Sequence, residues 1–315
     1  MGLIKKAGRK NRLDVARPFL KWAGGKSQLL VEFARYFPYD RFNDGSLTQY
    51  VEPFIGGGAV YFLLNADQPF SRCTVCDINE ELVLVYRVIQ KSLPHLIEDL
   101  SILEKEYFKR KNSLCESFYY SVREEFNQNR SSIKFNRYNR QWITRAAQTI
   151  FLNHTCYNGL FRVNKLGEFN VPFGRYDKPE ILNEANLSNV LNLLKETTIL
   201  CGDFTKCKKE INDQTFVYLD PPYRPLNQTS SFTSYSRTGF SDEDQKRLAR
   251  FYRYIDRKGA VVMLSNSDPR NENPSDSFFD DLYGEYTIRR IPAKRMINCN
   301  GARRGAVNEI LVTNY

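Results

Sequence analysis

Apolar and polar positions near the start of the chain predict two strands, each followed by a helix. Residues 49–64 give a mostly apolar strand, a glycine turn and then a helical pattern. A second apolar strand, residues 73–76, ends at Asp77, and helical periodicity follows over residues 80–111. This β-α-β-α order is typical of the beginning of an α/β fold.

The second half of the chain predicts the remaining strands of the same sheet. Two apolar runs, residues 215–219 and 259–264, are separated by a helical pattern over residues 242–257. Neither run alternates with polar residues, which suits strands covered on both faces. The chain closes on residues 285–292 and 309–312, which are typical of a hairpin. We therefore expect an α/β fold with one doubly wound sheet built from both ends of the chain.

The middle of the chain differs in composition. Residues 80–195 are richer in Arg, Asn, Tyr and Phe, and their pattern is mostly helical up to Asn153. Glycine-punctuated residues 158–176 then favour a β-hairpin. We interpret residues 80–195 as an inserted, mainly helical binding domain, and residues 1–79 with 196–315 as one discontinuous domain.

Net charge indicates a polyanionic partner. The chain has 46 Lys and Arg against 36 Asp and Glu, a formal charge of +10. Basic residues are interleaved with aromatic ones in residues 109–145 and 161–175, as suits phosphate contacts beside stacked bases. Composition alone leaves nucleic-acid binding and the absence of any acidic partner equally open.

Apolar content and cysteine spacing narrow the class of protein. No apolar run approaches the roughly 20 residues that a spanning helix needs, and the basic N-terminus lacks the apolar segment of a secretory signal. We expect a cytoplasmic protein without a membrane partner. Cys73 and Cys76 form a C-x-x-C, but no second pair completes a zinc tetrad, so we expect no metal and interpret them as small residues on a buried strand.

The glycine turn after the first strand predicts a cofactor site. Gly56, Gly57 and Gly58 would let the backbone approach a ligand at a helix N-terminus. Asp77, about 20 positions later at the end of the next strand, could accept hydrogen bonds from ribose hydroxyls. This pattern would serve a nicotinamide, a flavin or S-adenosylmethionine, and a tight turn without a ligand would also produce it.

The most informative segment, D-P-P-Y, is Asp220, Pro221, Pro222 and Tyr223, directly after a buried strand. Its two prolines stiffen the loop and remove backbone donors, which leaves the Asp220 carboxylate and the Pro221 carbonyl as acceptors at the carboxyl end of the sheet. Two acceptors suit an exocyclic amino group, and Tyr223 offers an aromatic face to an extruded base. A turn that merely ends a strand would explain Pro-Pro-Tyr, but not the flanking Asp and Tyr.

Together these motifs resemble those of the Dam-type adenine-N6 DNA methyltransferases, which combine D-P-P-Y with an N-terminal aromatic-glycine motif. The similarity covers nearly the whole chain, and several motifs in family order are far rarer by chance than one glycine loop. The matching segments are residues 18–26, 52–58, 77, 155–164, 167–176, 202–204 and 220–223. Residues 1–16 and 271–277 have no motif to match.

The resemblance implies the Rossmann-like fold of class I S-adenosyl-L-methionine-dependent methyltransferases, with an inserted target-recognition domain that carries a β-hairpin. The cofactor-binding residues that it implies are Trp22, Lys26, Phe54, Gly56, Gly58, Asp77, Asp203, Phe204 and Asp220. The Trp22 ring and the Lys26 cation could hold the aminoacid end of the cofactor. Without the other motifs, Trp22 would equally be a core aromatic and Lys26 a solvated charge.

The resemblance also implies binding to double-stranded DNA, with GATC as the target. The DNA-binding residues that it implies are Lys21, Tyr157, Asn158, Leu160, Arg162, Pro172, Arg175 and Tyr176. Tyr157 would enter the base stack, Asn158 would help to hold the opened pair, and Arg162 would read guanine. A plain phosphate contact is the alternative for Arg162. A restriction endonuclease that acts separately is a candidate partner.

We expect direct methyl transfer to N6 of a flipped adenine, without a covalent enzyme intermediate. Transfer to cytosine C5 would need a nucleophilic Cys, and none lies near residues 220–223. Three alternatives stay open at this point. They are an amino methyltransferase for cytosine N4, a nicotinamide-linked dehydrogenase that shares the glycine turn, and a non-catalytic DNA-binding module.

Overall fold

A computed structural model of the chain describes most of its 315 residues. The described ranges are residues 15–22, 29–67, 70–111, 113–224, 240–293 and 307–315. Lys26, one of the expected cofactor-binding residues, lies outside these ranges.

The described chain contains helices and strands in both halves, with four successive α-helices and no named strand over residues 80–194. The helices are α1 Leu30–Phe33, α2 Tyr39–Asn43, α3 Ala59–Asp67, α4 Glu80–Phe108, α5 Ser113–Gln128, α6 Gln141–Thr155, α7 Glu184–Leu194, α8 Asp242–Asp256 and α9 Phe278–Tyr283. The strands are β1 Gln49–Glu52, β2 Arg72–Asp77, β3 Thr197–Cys201, β4 Thr215–Leu219, β5 Val261–Ser267, β6 Thr287–Ala293 and β7 Val307–Thr313. Within these ranges, no helix combines the length and apolar character needed to cross a membrane.

The strands form a seven-stranded sheet in the order β3-β2-β1-β4-β5-β7-β6. β1 lies parallel to both β2 and β4, and β4 lies parallel to β5. β7 is antiparallel to β5 and to β6, so the last two strands form the predicted terminal hairpin. The strand order reverses at β1, between β2 and β4, which confirms the doubly wound α/β sheet and places its switch point where ligands of such folds bind.

By its internal contacts the chain divides into two compact units. The first unit comprises Met1–Gly25, Ile55–Pro69 and Asp77–Gly202, and the second comprises Lys26–Phe54, Phe70–Cys76 and Asp203–Tyr315. The boundaries of these contact units differ from those of the inserted domain expected over residues 80–195. The expected domain was defined by its role in binding DNA, which the contact units do not test, so it stays a prediction.

In the second unit, the central strands form the core. β4 and β5 are buried along their whole length, as expected for strands covered on both faces. Cys73 and Cys76 are buried on β2, which confirms their interpretation as small residues on a buried strand. Across the described ranges, no group of three or more His, Cys, Asp or Glu side chains is placed to hold a metal ion.

In the first unit, α4 packs against α6 around a buried ion pair. Arg145 on α6 donates from Nε to Glu81 Oε2 at 2.9 Å and from Nη2 to Glu81 Oε1 at 2.6 Å. This bidentate pairing satisfies two charges that burial would otherwise penalise. The long helix predicted over residues 80–111 is present, but Ser92 leaves the helical region (φ −148°, ψ 39°) because Pro94 removes a backbone donor.

Residues 158–176 double back as predicted, but through isolated contacts instead of a regular ladder. The antiparallel bridges are Cys156 to Phe173 and Val163 to Phe169. One reason is the backbone itself, since Asn158 and Arg175 have positive φ values of 56° and 53°, which interrupt extended structure.

Side chains of α5 provide a second reason, because they bond main-chain groups of this stretch. Tyr119 donates its hydroxyl to the Val171 carbonyl at 2.7 Å. Asn127 donates to the Phe169 carbonyl at 3.0 Å and accepts from the Phe169 amide at 2.8 Å. Side chain to backbone hydrogen bonds from α5 therefore support the stretch in addition to its few backbone pairings.

Candidate active site and DNA-binding segment

The D-P-P-Y segment begins at the carboxyl end of β4. Its first residue, Asp220, accepts a hydrogen bond at 3.1 Å from the hydroxyl of Ser265 on the neighbouring strand β5. The Ser265 hydroxyl also lies 2.9 Å from the Tyr218 hydroxyl. Burial, together with the Asp220 charge, raises the pKa of Tyr218 well above its ordinary value, so this phenol stays neutral. The orientation of the Asp220 carboxylate is thus coupled to two buried hydroxyl groups.

The last residue of the segment is anchored through its hydroxyl group. Tyr223 donates to Glu309 Oε2 at 2.5 Å, and Glu309 lies on β7 opposite Ser267. Burial and the charges of Asp220 and Glu309 raise the pKa of Tyr223 well above its usual range. The hydroxyl therefore keeps its proton and remains a donor, and this contact limits rotation of the Tyr223 side chain.

Between these two residues the prolines differ in exposure, because Pro221 is buried and Pro222 is exposed. The Pro222 carbonyl accepts a hydrogen bond at 3.2 Å from Nε2 of Gln245 on α8. Asn266 on β5 in turn donates to the Gln245 side-chain oxygen at 3.3 Å. The partners of this segment were not predictable from a motif in the sequence; they are Ser265, Glu309, Gln245 and Asn266. The one feature of the sequence that could have pointed to them is that they are polar residues beside or within apolar patterns.

In the first unit, the glycine turn encloses the expected ribose-binding carboxylate. The Gly56 amide donates to Asp77 Oδ2 at 3.0 Å, and the Asn79 amide donates to Oδ1 at 2.9 Å. Burial raises the pKa of Asp77, although these backbone hydrogen bonds oppose the shift. Since each carboxylate oxygen can accept more than one hydrogen bond, the arrangement fits a ribose hydroxyl donor.

Side chains cannot replace the hydrogen atoms of two glycines in this turn. Gly56 and Gly58 have positive φ values of 46° and 74°. A Cβ atom on Gly56 would lie 2.9 Å from the Trp22 ring, and one on Gly58 would lie 2.7 Å from the Tyr86 hydroxyl. Trp22 is half-buried, lies against the turn and stacks on Phe161 at 5.4 Å between centroids. The structure thus brings together Trp22 and the glycine turn, as the cofactor interpretation requires.

In the second unit lie two aromatic rings and a carboxylate that were also expected to bind the cofactor. Phe54 and Phe204 have ring centroids 5.6 Å apart. Asp203 accepts from the Thr205 hydroxyl at 2.6 Å and from Arg247 Nη2 at 2.9 Å. Burial acts to raise the pKa of Asp203, but the hydrogen bonds from Thr205 and Arg247 outweigh it and the pKa is lowered. Two rings beside an ionised carboxylate fit a purine with an exocyclic amino group.

A buried amide connects two parts of the expected DNA-binding segment. Asn153, at the end of α6, accepts from the Lys21 amide at 2.8 Å and donates to the carbonyls of Lys21 at 2.9 Å and of Gly159 at 2.8 Å. The Lys21 ammonium lies 4.8 Å from the centroid of the Tyr176 ring. Lys21, Tyr176 and the 157–159 turn are therefore close together, held by Asn153, a residue that no sequence motif pointed to.

Most of the expected DNA contacts are exposed. The exposed ones are Lys21, Tyr157, Asn158, Arg162, Pro172 and Arg175, while Leu160 and Tyr176 are half-buried. Tyr157 has an exposed fraction of 55%, large for an aromatic side chain. The Arg162 guanidinium donates from Nε to the Asn170 side-chain oxygen at 2.8 Å, which orients it. Surface arginine and aromatic side chains on a rigid support are suited to contacts with a nucleic acid.

Comparison with known proteins identifies the family. A profile of the D12 class N6 adenine-specific DNA methyltransferases matches residues 22–297. The chain is 48% identical over 300 residues to the type II methyltransferase M.MjaIII of Methanocaldococcus jannaschii, with 95% of this chain and 99% of the relative covered. It is 38% identical over 309 residues to the type II methyltransferase M1.LlaDCHI of Lactococcus lactis subsp. cremoris, covering 97% and 98% of the two chains.

The name of a third relative states both its substrate and its reaction. The DNA adenine methylase of Escherichia coli is 34% identical over 295 residues, with 94% of each chain covered. A profile match over most of the chain, together with relatives matched over nearly their full length, excludes a dehydrogenase and a DNA-binding module without enzyme activity. This chain belongs to the D12 class of N6 adenine-specific DNA methyltransferases.

Proposed function

We propose that this protein transfers a methyl group from S-adenosyl-L-methionine to N6 of adenine in double-stranded GATC sites, after flipping the base out of the duplex. The observation that carries the proposal is the anchored D-P-P-Y segment, in which Ser265 orients Asp220 and Glu309 holds the hydroxyl of Tyr223. The relatives named DNA adenine methylases support adenine over cytosine N4 as the substrate.

The residues proposed to hold the cofactor are those expected from the sequence. In the first unit these are Trp22, Lys26, Gly56, Gly58 and Asp77. In the second unit these are Phe54, Asp203, Phe204 and Asp220. When bound, S-adenosyl-L-methionine supplies the methyl group on its sulfonium. Asp77 accepts from the ribose, and the rings of Phe54 and Phe204 accompany the adenine.

Asp220 and Pro221 act on the target amino group. The Asp220 carboxylate and the Pro221 carbonyl accept hydrogen bonds from its two N–H groups, which raises electron density on N6 and aligns its lone pair for attack. After attack the nitrogen is positively charged and readily gives a proton to the Asp220 carboxylate or to solvent, so Asp220 need not be a strong base. The ring of Tyr223 supports the flipped base, with Pro222 fixing the turn between them.

The exposed segment of the first unit would read the DNA. Tyr157 enters the stack and Asn158 helps to hold the opened pair. Arg162 reads guanine through its O6 and N7, since its fork matches these two acceptors. The remaining proposed base contacts are Lys21, Leu160, Pro172 and Tyr176, and Arg175 contacts the DNA at the edge of the same segment.

A paired restriction endonuclease is a proposed functional partner. The relatives from Methanocaldococcus jannaschii and Lactococcus lactis are named type II methyltransferases, which supports a role in restriction-modification. The endonuclease would act separately on the same site. We also propose that the protein acts in the cytoplasm, as expected from the sequence, where its DNA substrate would lie.

Sequencing the DNA of cells that express the chain, with detection of modified bases, tests the proposal directly. The host should lack its own adenine methylation, and cells with the empty vector provide the control. We expect N6-methyladenine at GATC on both strands. N4-methylcytosine would contradict the substrate, and N6-methyladenine at another sequence would contradict only the proposed site.

A further inference from the structure

We propose that Gln245 and Asn266 are positioning residues for methyl transfer, which together fix the backbone of the D-P-P-Y segment. This inference rests on the proposed function, because it assumes that the Pro221 carbonyl and the Asp220 carboxylate hold the target amino group. It adds a relay of buried amides to the residues that the sequence motif contains.

In this relay, which runs from Asn266 through Gln245 to the Pro222 carbonyl, the order of donors and acceptors is fixed. The Ser267 amide donates to Asn266 Oδ1 at 2.9 Å, so the Asn266 side-chain nitrogen faces Gln245 and donates to its Oε1 at 3.3 Å. The remaining Gln245 nitrogen then donates to the Pro222 carbonyl at 3.2 Å. Each amide donates and accepts once in this order, so reversing either side chain would place two donors or two acceptors against each other.

Gln245 occupies a position where the helix pattern calls for an apolar residue. It shares a face of α8 with Leu248, Ala249 and Tyr252, which are three, four and seven residues further on, and all four are 0% exposed. Asn266 is also 0% exposed, within a strand that is buried throughout. Burying an amide costs free energy unless its hydrogen bonds are made. The hydrogen bonds of these two amides therefore account for their presence at buried positions.

The hydrogen bond to Pro222 acts on the one backbone torsion that its ring leaves adjustable. The pyrrolidine ring fixes φ of Pro222, and the position of its carbonyl oxygen then depends on ψ. Gln245 holds that oxygen, so Pro222 is restricted on both sides. The preceding carbonyl, that of Pro221, is thereby kept in one orientation before the substrate binds, which lowers the reorganisation needed in the transition state.

Consecutive residues of β5 would thus control both acceptors of the amino group. Side chains of neighbouring strand residues point to opposite faces of a sheet. On one face Ser265 donates to Asp220, and on the other Asn266 acts through Gln245 on Pro222. One rigid strand therefore sets the distance between the carboxylate and the carbonyl.

The test replaces Gln245 with Met, which has a similar length and no hydrogen-bonding amide. We expect kcat to fall by about tenfold to a hundredfold, with KM for S-adenosyl-L-methionine and the DNA dissociation constant within about twofold of the wild type. Leu248→Ala, on the same buried face of α8, is the control for lost stability. It should lower the melting temperature without a comparable loss of kcat.

A double-mutant cycle tests the relay itself. Asn266→Ala should lower kcat in the same way but less, and the double variant should be no slower than Gln245→Met alone, because both changes interrupt one chain. If Gln245→Met does not fold, Asn266→Ala alone must show the same division between kcat and KM.

Some outcomes overturn the inference. These are a kcat near that of the wild type, a loss equal to that of Leu248→Ala, or additive effects of the two changes. A wild-type enzyme that does not methylate adenine would instead refute the proposed function.

Discussion

The hydroxyl of Ser265 bridges two groups of opposite character, the buried, neutral phenol of Tyr218 at 2.9 Å and the half-buried carboxylate of Asp220 at 3.1 Å. Ser265 lies on β5 and Asp220 follows β4, which are paired in parallel. The direction of the carboxylate is therefore set by the neighbouring strand as well as by the loop that contains it.

Ser265→Ala should lower kcat by about threefold to tenfold, because a hydrogen bond of this kind contributes about 1 kcal/mol to orientation. Single-turnover methylation of a GATC duplex measures the effect. Ser267→Ala is a matched control, since Ser267 lies two residues further on the same buried strand and its hydroxyl has no hydrogen-bond partner among the described residues. Equal losses for the two variants would contradict a specific role of Ser265.

Asp220→Ala should abolish methyl transfer while the chain stays folded and still binds DNA. The change removes two acceptor oxygens from a half-buried loop position and little core volume. Thermal unfolding and DNA binding provide the controls, and radiolabelled methyl incorporation provides the result. Retention of about a tenth of the wild-type turnover would show that Asp220 is not the acceptor of the amino group.

Affinity for S-adenosyl-L-methionine should weaken as pH falls through the pKa of Asp77, because a protonated carboxyl accepts fewer hydrogen bonds. Burial raises this pKa above 3.8 in the folded protein, so the decrease begins at a higher pH than for an exposed Asp. For the unliganded protein the sign is opposite. Protonation of Asp77 favours folding below pH 3.8, and this contribution is lost as pH rises through the folded-state pKa.

Calorimetric titrations at several pH values check this, with Asp77→Asn as the comparison. The variant should bind more weakly at neutral pH and lose this part of the pH dependence. If its pH profile parallels that of the wild type, Asp77 does not contact the cofactor.

DNA affinity should fall steeply with salt, because several Lys and Arg side chains would neutralise phosphates and release counterions. Arg175 is suited to a single-residue test, because its side chain is 78% exposed and its ion pair is long, with 3.8 Å between Arg175 Nη2 and Glu116 Oε2. Arg175→Ala should reduce the slope of log affinity against log salt by about one if it contacts a phosphate. A wild-type slope near zero would contradict the predicted basic surface.

Arg162→Ala should relax selection at one base of GATC and cost about 1–3 kcal/mol on the cognate site. A phosphate contact would instead weaken binding to all sequences alike. The measurement is methylation of GATC and of its three variants at the first position by both proteins. An unchanged ranking of these substrates would exclude guanine reading by Arg162.

Asn170→Ala removes the side-chain acceptor that orients Arg162 but leaves the backbone carbonyl, so it should relax selection at the same base by a smaller factor. If Asn170→Ala changes selection at another base instead, the pair does not read one guanine together.

The regular apolar strands and the motif loops were predictable from the sequence, whereas contacts distant along the chain were not. β4, β5 and the terminal hairpin follow directly from apolar runs. β3 does not, because only its first residue, Thr197, is buried. Continuous burial gives the central strands their apolar pattern, and this edge strand lacks it.

At the site, D-P-P-Y was visible in the sequence, but its supports were not. Gln245 and Glu309 lie 23 and 86 residues beyond the residues that they hold. A helix pattern identifies Gln245 only as a polar residue at an apolar position, without naming its partner. Its meaning requires the fold, which brings α8 and β5 together at the carboxyl end of β4.

The way in which α5 holds the DNA-binding segment has a consequence for how this class of protein diversifies. Tyr119 and Asn127 bond main-chain groups of Val171 and Phe169, and every amino acid would provide these groups, except that proline at position 169 would lack the amide. Exposed side chains nearby, such as those of Arg162 and Pro172, can therefore be exchanged while the support is retained. New target sequences would then be accessible by single substitutions, each tested on an unchanged scaffold.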